Sequence, residues 1–233
     1  LFTVAQIALL AAPPVLLGTT YFTYKELAAR LGPARGYLAG FLFYWVCWCL
    51  LLPLLTVGPS GLQAMFKAPH PMFGKPNWLG LLLLLGPPLA MLKSPSEVKH
   101  VTPKVIAYSA LFALVNGTME EMLWRGTYVT AFPDGWLWGY LYPSVWFGLW
   151  HLSPQVVYPS EMPGGAIAFA LTAIFLGLAW GWVAKTTGSI RWTAAAHILL
   201  NLTGLTGRSF LRTRAPDSWD VTPKATSAPR HKT

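Results

Sequence analysis

Residues 37–57 read YLAGFLFYWVCWCLLLPLLTV, a run that contains no charged side chain. At 1.5 Å per residue, a helix of this length crosses the ~30 Å hydrocarbon layer of a bilayer. Similar apolar runs recur along the chain and predict an all-α fold, a polytopic transmembrane helix bundle of about seven to eight membrane helices. The predicted segments are Phe2–Phe22, Tyr37–Val57, Trp78–Leu92, Val105–Phe132, Gly135–Val157, Gly165–Ala184 and Trp192–Gly207.

The composition excludes a water-soluble globular protein. Of the 233 residues, 54% are hydrophobic and only 11% are charged, whereas a soluble domain carries about 25% charged residues. The formal net charge of +9 does not indicate nucleic acid, because the basic residues lie in short links and in the tail and not on one amphipathic face. We therefore expect membrane lipids, and no nucleic acid, as partners.

The distribution of basic residues predicts the orientation in the membrane, because Lys and Arg concentrate on the cytoplasmic side. The links on one side, together with the tail, hold twelve of them: Lys25, Arg30, Arg35, Lys93, Lys99, Lys104, Arg208, Arg212, Arg214, Lys224, Arg230 and Lys232. The links on the other side hold four: Lys67, Lys75, Lys185 and Arg191. The N-terminus is therefore predicted outside and the C-terminus in the cytoplasm. The first apolar run lacks a basic n-region, so we interpret it as a membrane helix and not as a signal peptide.

Three regions are predicted along the chain. Residues 1–104 form N-terminal membrane helices, residues 105–207 form a core that carries the chemistry, and residues 208–233 form a polar, disordered cytoplasmic tail. Cys47 and Cys49 are two residues apart in an apolar run and point to different sides of a helix, so neither a disulfide nor a metal pair is implied.

The strongest chemical signal lies in residues 116–126, which read NGTMEEMLWRG within an apolar segment. A charged side chain at the centre of a membrane helix costs roughly 3 kcal/mol on insertion scales, so three together need a reason. Glu121 and Arg125 are spaced i, i+4 and are predicted to form an ion pair. Glu120 is rotated by about 100° from Glu121. It falls off the face of the pair and is the candidate acid or base.

Two other apolar segments carry polar groups. Residues 145–154 read VWFGLWHLSP and residues 193–204 read TAAAHILLNLTG. The spacing places His151 one turn after Phe147, and His197 one turn before Asn201. A lone histidine in a membrane span is more often a packing residue that is hydrogen-bonded to a neighbour. Polar groups on three separate spans must nevertheless turn inward to find partners, so we expect Glu120 and both histidines to form one intramembrane site with Asn201.

These motifs, E-E-x-x-x-R, F-x-x-x-H and H-x-x-x-N in this order, resemble those of the CPBP family, which contains type II CAAX prenyl endopeptidases and bacteriocin-processing or self-immunity proteins. The resemblance spans about Val105 to Gly207 and implies an intramembrane peptidase of about eight helices acting on a peptide or prenylated protein. It implies that Glu120 and His151 activate a water, while His197 and Asn201 stabilise the oxyanion. Amide hydrolysis needs such a base and such donors. Glu121, Arg125 and Phe147 would support the site.

Other readings of the same residues stay open. A Zn²⁺ ion could be held by His151, His197 and Glu120 with water as the open ligand. The absence of an H-E-x-x-H helix weighs slightly against a dedicated metal. The polar cluster could also only hold the helices together, in a non-catalytic bacteriocin-immunity or scaffold protein. A third alternative is a proton relay in a proton-coupled transporter. The sequence does not identify the natural substrate.

Overall fold

The computed structural model describes residues 1–92 and 103–206. These residues form helices without any strand, so the predicted all-α class is confirmed. The predicted tail at 208–233, together with Gly207, Lys93 and Lys99, lies outside the described residues. The helices are α1 (Val4–Leu31), α2 (Pro33–Met65), α3 (Asn77–Leu92), α4 (Pro103–Glu121, Met122–Thr127 and Tyr128–Ala131 in succession), α5 (Leu137–Leu141 and Tyr142–Trp150), α6 (Gly165–Thr187) and α7 (Arg191–Thr206).

Several helices suit a membrane. By length and composition, α1, α2 and α6 can each cross a bilayer, and α3 contains a shorter apolar helix, Asn77–Leu89. Large apolar side chains lie on the outside of the bundle, among them Leu55, which is 82% exposed, and Ile167 and Phe175. So many large apolar side chains are unfavourable on a surface that faces water, whereas contact with lipid tails is favourable for them. The number of helices that cross the membrane stays a prediction.

The end of α1 differs from the predicted segment, which stops at Phe22. The helix continues to Leu31 and ends where Gly32 adopts a φ of +80°, a value that glycine reaches without steric cost. Polar residues after Phe22 form helix as readily as apolar ones, and Glu26 pairs with Arg30 at 2.5 Å one turn later. A boundary predicted from hydropathy alone was therefore too early for this helix.

The end of α5 also differs from the prediction, and here the difference affects the site. The predicted segment ran through to Val157, but the helix ends at Trp150 and a 3₁₀ turn follows at Pro154–Val156. Pro154 has no N–H with which to continue an α-helix. The N–H of Ser153 bonds the Trp150 carbonyl at 2.8 Å instead. His151 consequently lies at the C-terminal end of α5 and not inside a continuous span.

Three of the helices in residues 1–92 and 103–206 contain π-helical segments, which are wider turns often found at functional sites. Those in α2 (Tyr44–Leu51) and α5 (Leu137–Leu141) come directly before Pro53 and Pro143, whose missing N–H groups disturb the regular ladder. The segment in α4, Met122–Thr127, has no proline. There the hydroxyl of Thr127 donates to the Met122 carbonyl at 2.8 Å. The α4 segment directly follows the two glutamates.

Glycines allow the helices around the polar site to approach closely. A Cβ at Gly117 of α4 would meet the backbone nitrogen of Ile198 in α7 at 2.9 Å. A Cβ at Gly177 of α6 would meet the carbonyl oxygen of Ser144 in α5 at 2.8 Å. Both distances are too short for any larger residue without displacement of the neighbouring backbone. The close contact of α4 with α7 places residue 197 beside the two glutamates.

The start of α7 is fixed by the chain that follows α2. The N–H of Ile190 donates to the Met65 carbonyl at 2.9 Å, and the Ser189 hydroxyl donates to the Lys67 carbonyl at 2.7 Å. Arg191 donates through Nε to the carbonyl of Phe66. These bonds satisfy carbonyl groups at the end of α2 that no helical partner reaches. The turn between α6 and α7 is thereby attached to the N-terminal half of the chain.

Candidate functional site

Helix α4 carries three ionisable side chains into the interior of the bundle. Glu120, Glu121 and Arg125 are each at most 1% exposed. Arg125 Nη1 lies 3.1 Å from Oε1 of Glu121, so the predicted i, i+4 ion pair is present. Buried charges persist in a protein when they are paired, because solvation by water is lost. The pair therefore accounts for two of the three charges.

His197 of α7 lies between the two glutamates. Its Nδ1 is 3.0 Å from Oε1 of Glu121, and its Nε2 is 3.5 Å from Oε2 of Glu120. The ring is 3% exposed. Both carboxylates therefore meet the same imidazole, one on each ring nitrogen. The sequence prediction placed His197 in the site but did not predict this bridging position.

Two aromatic rings enclose the charged groups. The Arg125 guanidinium carbon lies 3.9 Å from the ring centre of Phe147 and 5.4 Å from that of Trp180. Trp180 also stacks on His197, with ring centres 4.4 Å apart and an interplanar angle of 24°. An aromatic face attracts a cation and excludes water at the same time. Phe147, predicted as a supporting residue, and Trp180, which the sequence did not single out, thus form the apolar wall of the cluster.

His151 packs edge to face against the Phe147 ring. Its ring centre is 4.6 Å from that of Phe147, and its Nδ1 is 2.7 Å from the Phe147 carbonyl oxygen. Since a carbonyl only accepts, Nδ1 carries the hydrogen and Nε2 is left as an acceptor. Within the described residues His151 makes no ion pair with Glu120 or Glu121. The structure does not bring the expected Glu120 and His151 pair into direct contact.

Asn201 follows His197 by one turn of α7, as the sequence spacing predicts. Its side chain is half-buried, and its Nδ2 is a buried donor without a hydrogen-bond acceptor in the part of the chain that the structure describes. Buried donors in folded proteins nearly always have an acceptor. A donor left open beside His197 is therefore available to a bound ligand.

Sequence reasoning missed one polar residue next to the glutamates. Asn116 is 7% exposed and lies one turn before Glu120 on the same face of α4. Neither oxygen of Glu120 makes a well-formed hydrogen bond within the described residues. The i, i+4 spacing of Asn116 and Glu120 was a signal that could have identified it.

The zinc alternative does not fit the geometry. Among the described residues no group of three or more His, Cys, Asp or Glu side chains is arranged to hold a metal ion. Nδ1 of His151 is engaged by a carbonyl and both nitrogens of His197 face carboxylates. The proposed ligands His151, His197 and Glu120 are thus not arranged as a metal site among the described residues, and we derive no step through a metal.

Comparison with protein families identifies the segment that holds this cluster. Residues 102–203 match the model described as type II CAAX prenyl endopeptidase Rce1-like. This match supports membership of the CPBP family. The Rce1-like segment is less than half of the chain, yet it contains all seven predicted site residues, whereas the N-terminal helices lie outside the match. Comparisons with curated proteins and with solved structures give no match.

Similarity to the Rce1-like family bears on two expectations. The family is integral to the membrane, in agreement with the long apolar helices of this chain. It consists of CAAX-type proteases that act on prenylated protein substrates, which supports an enzymatic, intramembrane endopeptidase role here. Neither expectation assigns a role to any one side chain.

Proposed function

We propose that this protein is an intramembrane endopeptidase that hydrolyses a peptide bond of a prenylated or unprenylated protein by a water activated by glutamate. One observation carries the proposal: His197 bridges Glu120 and Glu121 inside an Rce1-like segment, next to the open donor of Asn201. The open donor of Asn201 lies one turn from His197, where a bound substrate could accept from it.

The charges of the cluster define the resting state in this proposal. Two carboxylates and one guanidinium leave one negative charge, and one proton shared between Nε2 of His197 and Oε2 of Glu120 balances it. The 3.5 Å separation of this nitrogen from Oε2 of Glu120 is an ion-pair distance. Glu121 holds the opposite ring nitrogen and fixes the orientation of the imidazole. Nε2 of His197 is therefore held in place to donate the shared proton.

Hydrolysis follows from these positions. Nε2 of His151 accepts a hydrogen bond from the attacking water, and Glu120 takes the proton as the water oxygen adds to the scissile carbonyl carbon. The oxyanion that forms accepts hydrogen bonds from Nε2–H of His197 and Nδ2–H of Asn201. The C–N bond then breaks as Glu120 returns the proton to the leaving amine. Glu121 and Arg125 keep His197 in place and do not touch the substrate.

Peptide cleavage tests the proposal directly. The full chain, purified in detergent, is incubated with prenylated and unprenylated fluorogenic peptides that end in a Cys-aliphatic-aliphatic-X sequence, and new termini are identified by mass spectrometry. We expect cleavage by the wild type and none by Glu120→Gln. Equal cleavage by both proteins would refute the mechanism. Absence of cleavage together with proton-coupled flux in liposomes would establish the transporter function instead. Absence of both cleavage and flux would indicate a non-catalytic scaffold protein.

A further inference from the structure

Trp45 connects the N-terminal half of the chain to the polar cluster. It lies in the π-helical segment of α2, outside the Rce1-like segment, and its Nε1 donates a hydrogen bond of 2.9 Å to Oδ1 of Asn116. Phe41 and Phe112 hold the indole at ring-centre distances of 5.5 Å and 5.3 Å. The indole is thus fixed by two aromatic contacts and one hydrogen bond.

The bond from Trp45 determines which way the Asn116 amide faces. A carboxamide has an oxygen that accepts and an NH₂ group that donates. If the Asn116 amide were rotated by 180°, its NH₂ group would face the indole N–H of Trp45. Two donors would then face each other without an acceptor. With the oxygen on Trp45, the NH₂ group is directed to the other side of the amide. The Glu120 carboxylate lies one turn along the same face of α4, i+4 from Asn116, and neither of its oxygens has a hydrogen-bond partner within the described residues.

We infer that Trp45 is a positioning residue for Glu120, acting through Asn116. The inference rests on the proposed function, in which Glu120 is the general base, and extends it to a residue outside the family match. A carboxylate without a well-formed hydrogen bond can rotate, and a base that rotates meets the water proton in the right geometry only part of the time. The oriented amide limits that rotation.

A purely structural role is the competing explanation, since the same bond ties α2 to α4. Trp48 offers a matched control. It lies three residues later in the same π-helical segment, is also half-buried, and its Nε1 has no hydrogen-bond partner within the described residues. Trp45→Phe and Trp48→Phe therefore remove the same atoms from the same segment, but only the first removes a hydrogen bond.

The experiment compares Trp45→Phe, Trp48→Phe, Asn116→Ala and the double variant Trp45→Phe with Asn116→Ala in the full-length protein in detergent. Loss of one orienting hydrogen bond should lower kcat of Trp45→Phe about tenfold, with KM unchanged within about twofold. Trp48→Phe should retain the kcat of the wild type. In the Asn116→Ala background, Trp45→Phe should have no further effect, because the residue it acts through is gone.

Infrared difference spectra provide a readout that needs no turnover. The wild-type spectrum minus that of Glu120→Gln isolates the carboxylate bands of Glu120, and these should shift in Trp45→Phe but not in Trp48→Phe. Equal changes in the two Trp variants, or additive effects in the double variant, would overturn the inference. A wild type that cleaves no peptide but shows the selective band shift would refute the catalytic proposal and leave the positioning of Glu120 standing.

Discussion

The two adjacent glutamates of α4 should respond in opposite ways to the same change. Glu121 is the only ion-pair partner of Arg125 within the described residues, and both side chains are almost fully buried. After Glu121→Gln, the charge of Arg125 is left with only its contacts to the aromatic rings of Phe147 and Trp180. Glu120 has a single contact of this kind, the 3.5 Å approach to His197. When Glu120→Gln removes that charge, His197 can release its proton and the cluster stays neutral.

The separation of the ions gives the size of the effect. For unit charges at the 3.1 Å between Arg125 and Glu121, Coulomb's law with an effective dielectric constant of about 20 gives about 5 kcal/mol. Breaking a buried pair typically costs roughly 3 to 5 kcal/mol. A loss of this size should lower the melting temperature of Glu121→Gln, and of Arg125→Ala, by on the order of 10 °C. Glu120→Gln should melt like the wild type and lose about 10² to 10⁴ in rate.

The assay is thermal melting in detergent beside peptide turnover for all three variants. Glu26→Gln is the matched control, because Glu26 and Arg30 have the same i, i+4 spacing on α1 but their side chains are 58% and 72% exposed. Exposed pairs contribute little to stability, so this variant should melt unchanged. The reasoning is wrong if Glu120→Gln melts as early as Glu121→Gln, if Glu120→Gln turns over normally, or if Glu121→Gln is as stable as the wild type and inactive.

Three further predictions follow from the charge pattern, the ligand geometry and the helix packing. A C-terminal reporter beyond Arg208 should signal a cytoplasmic location, because basic residues favour that side twelve to four; a signal from the exported side would reverse the predicted orientation. Metal-depleted protein should keep full activity, because the histidines are not arranged as a metal site among the described residues; activity that chelation abolishes and zinc restores would reinstate the Zn²⁺ alternative. Gly117→Ala should destabilise the protein by about 1–3 kcal/mol, because its Cβ would press on Ile198, whereas Gly18→Ala, with open space around it, should melt normally.

The sequence predicted the parts of this structure that depend on local spacing. Apolar runs without charge predict helices whatever their neighbours, and α1, α2 and α6 lie where such runs occur. The Glu121 and Arg125 pair depends only on the rise and twist of one helix, so it could be predicted without knowledge of the fold. The same holds for Asn201 one turn after His197.

Contacts between helices could not be derived in this way. That His197 reaches both glutamates depends on the close approach at Gly117 and on the bonds that fix the start of α7. Neither is encoded in the spacing of the H-x-x-x-N motif. His151 was expected within a span, but the helix ends early, before Pro154, and the His151 ring packs against Phe147. The partner of a buried side chain is a property of packing, and packing depends on residues distant in sequence.

The N-terminal helices do more than surround the Rce1-like segment. Backbone carbonyls of α1 accept hydrogen bonds from Tyr128 and Tyr142 at 2.8 Å and 2.5 Å, and Thr20 donates to Ser153 at 3.0 Å. Tyr128 follows Arg125 in α4, Tyr142 lies in α5 before His151, and Ser153 lies just after His151, so these bonds restrain the chain on both sides of His151 and after Arg125. Because Trp45 contacts the cluster through Asn116 as well, both α1 and α2 restrain the elements that carry the proposed catalytic groups. A substitution in the first half of the chain can therefore change the geometry of the site without touching it.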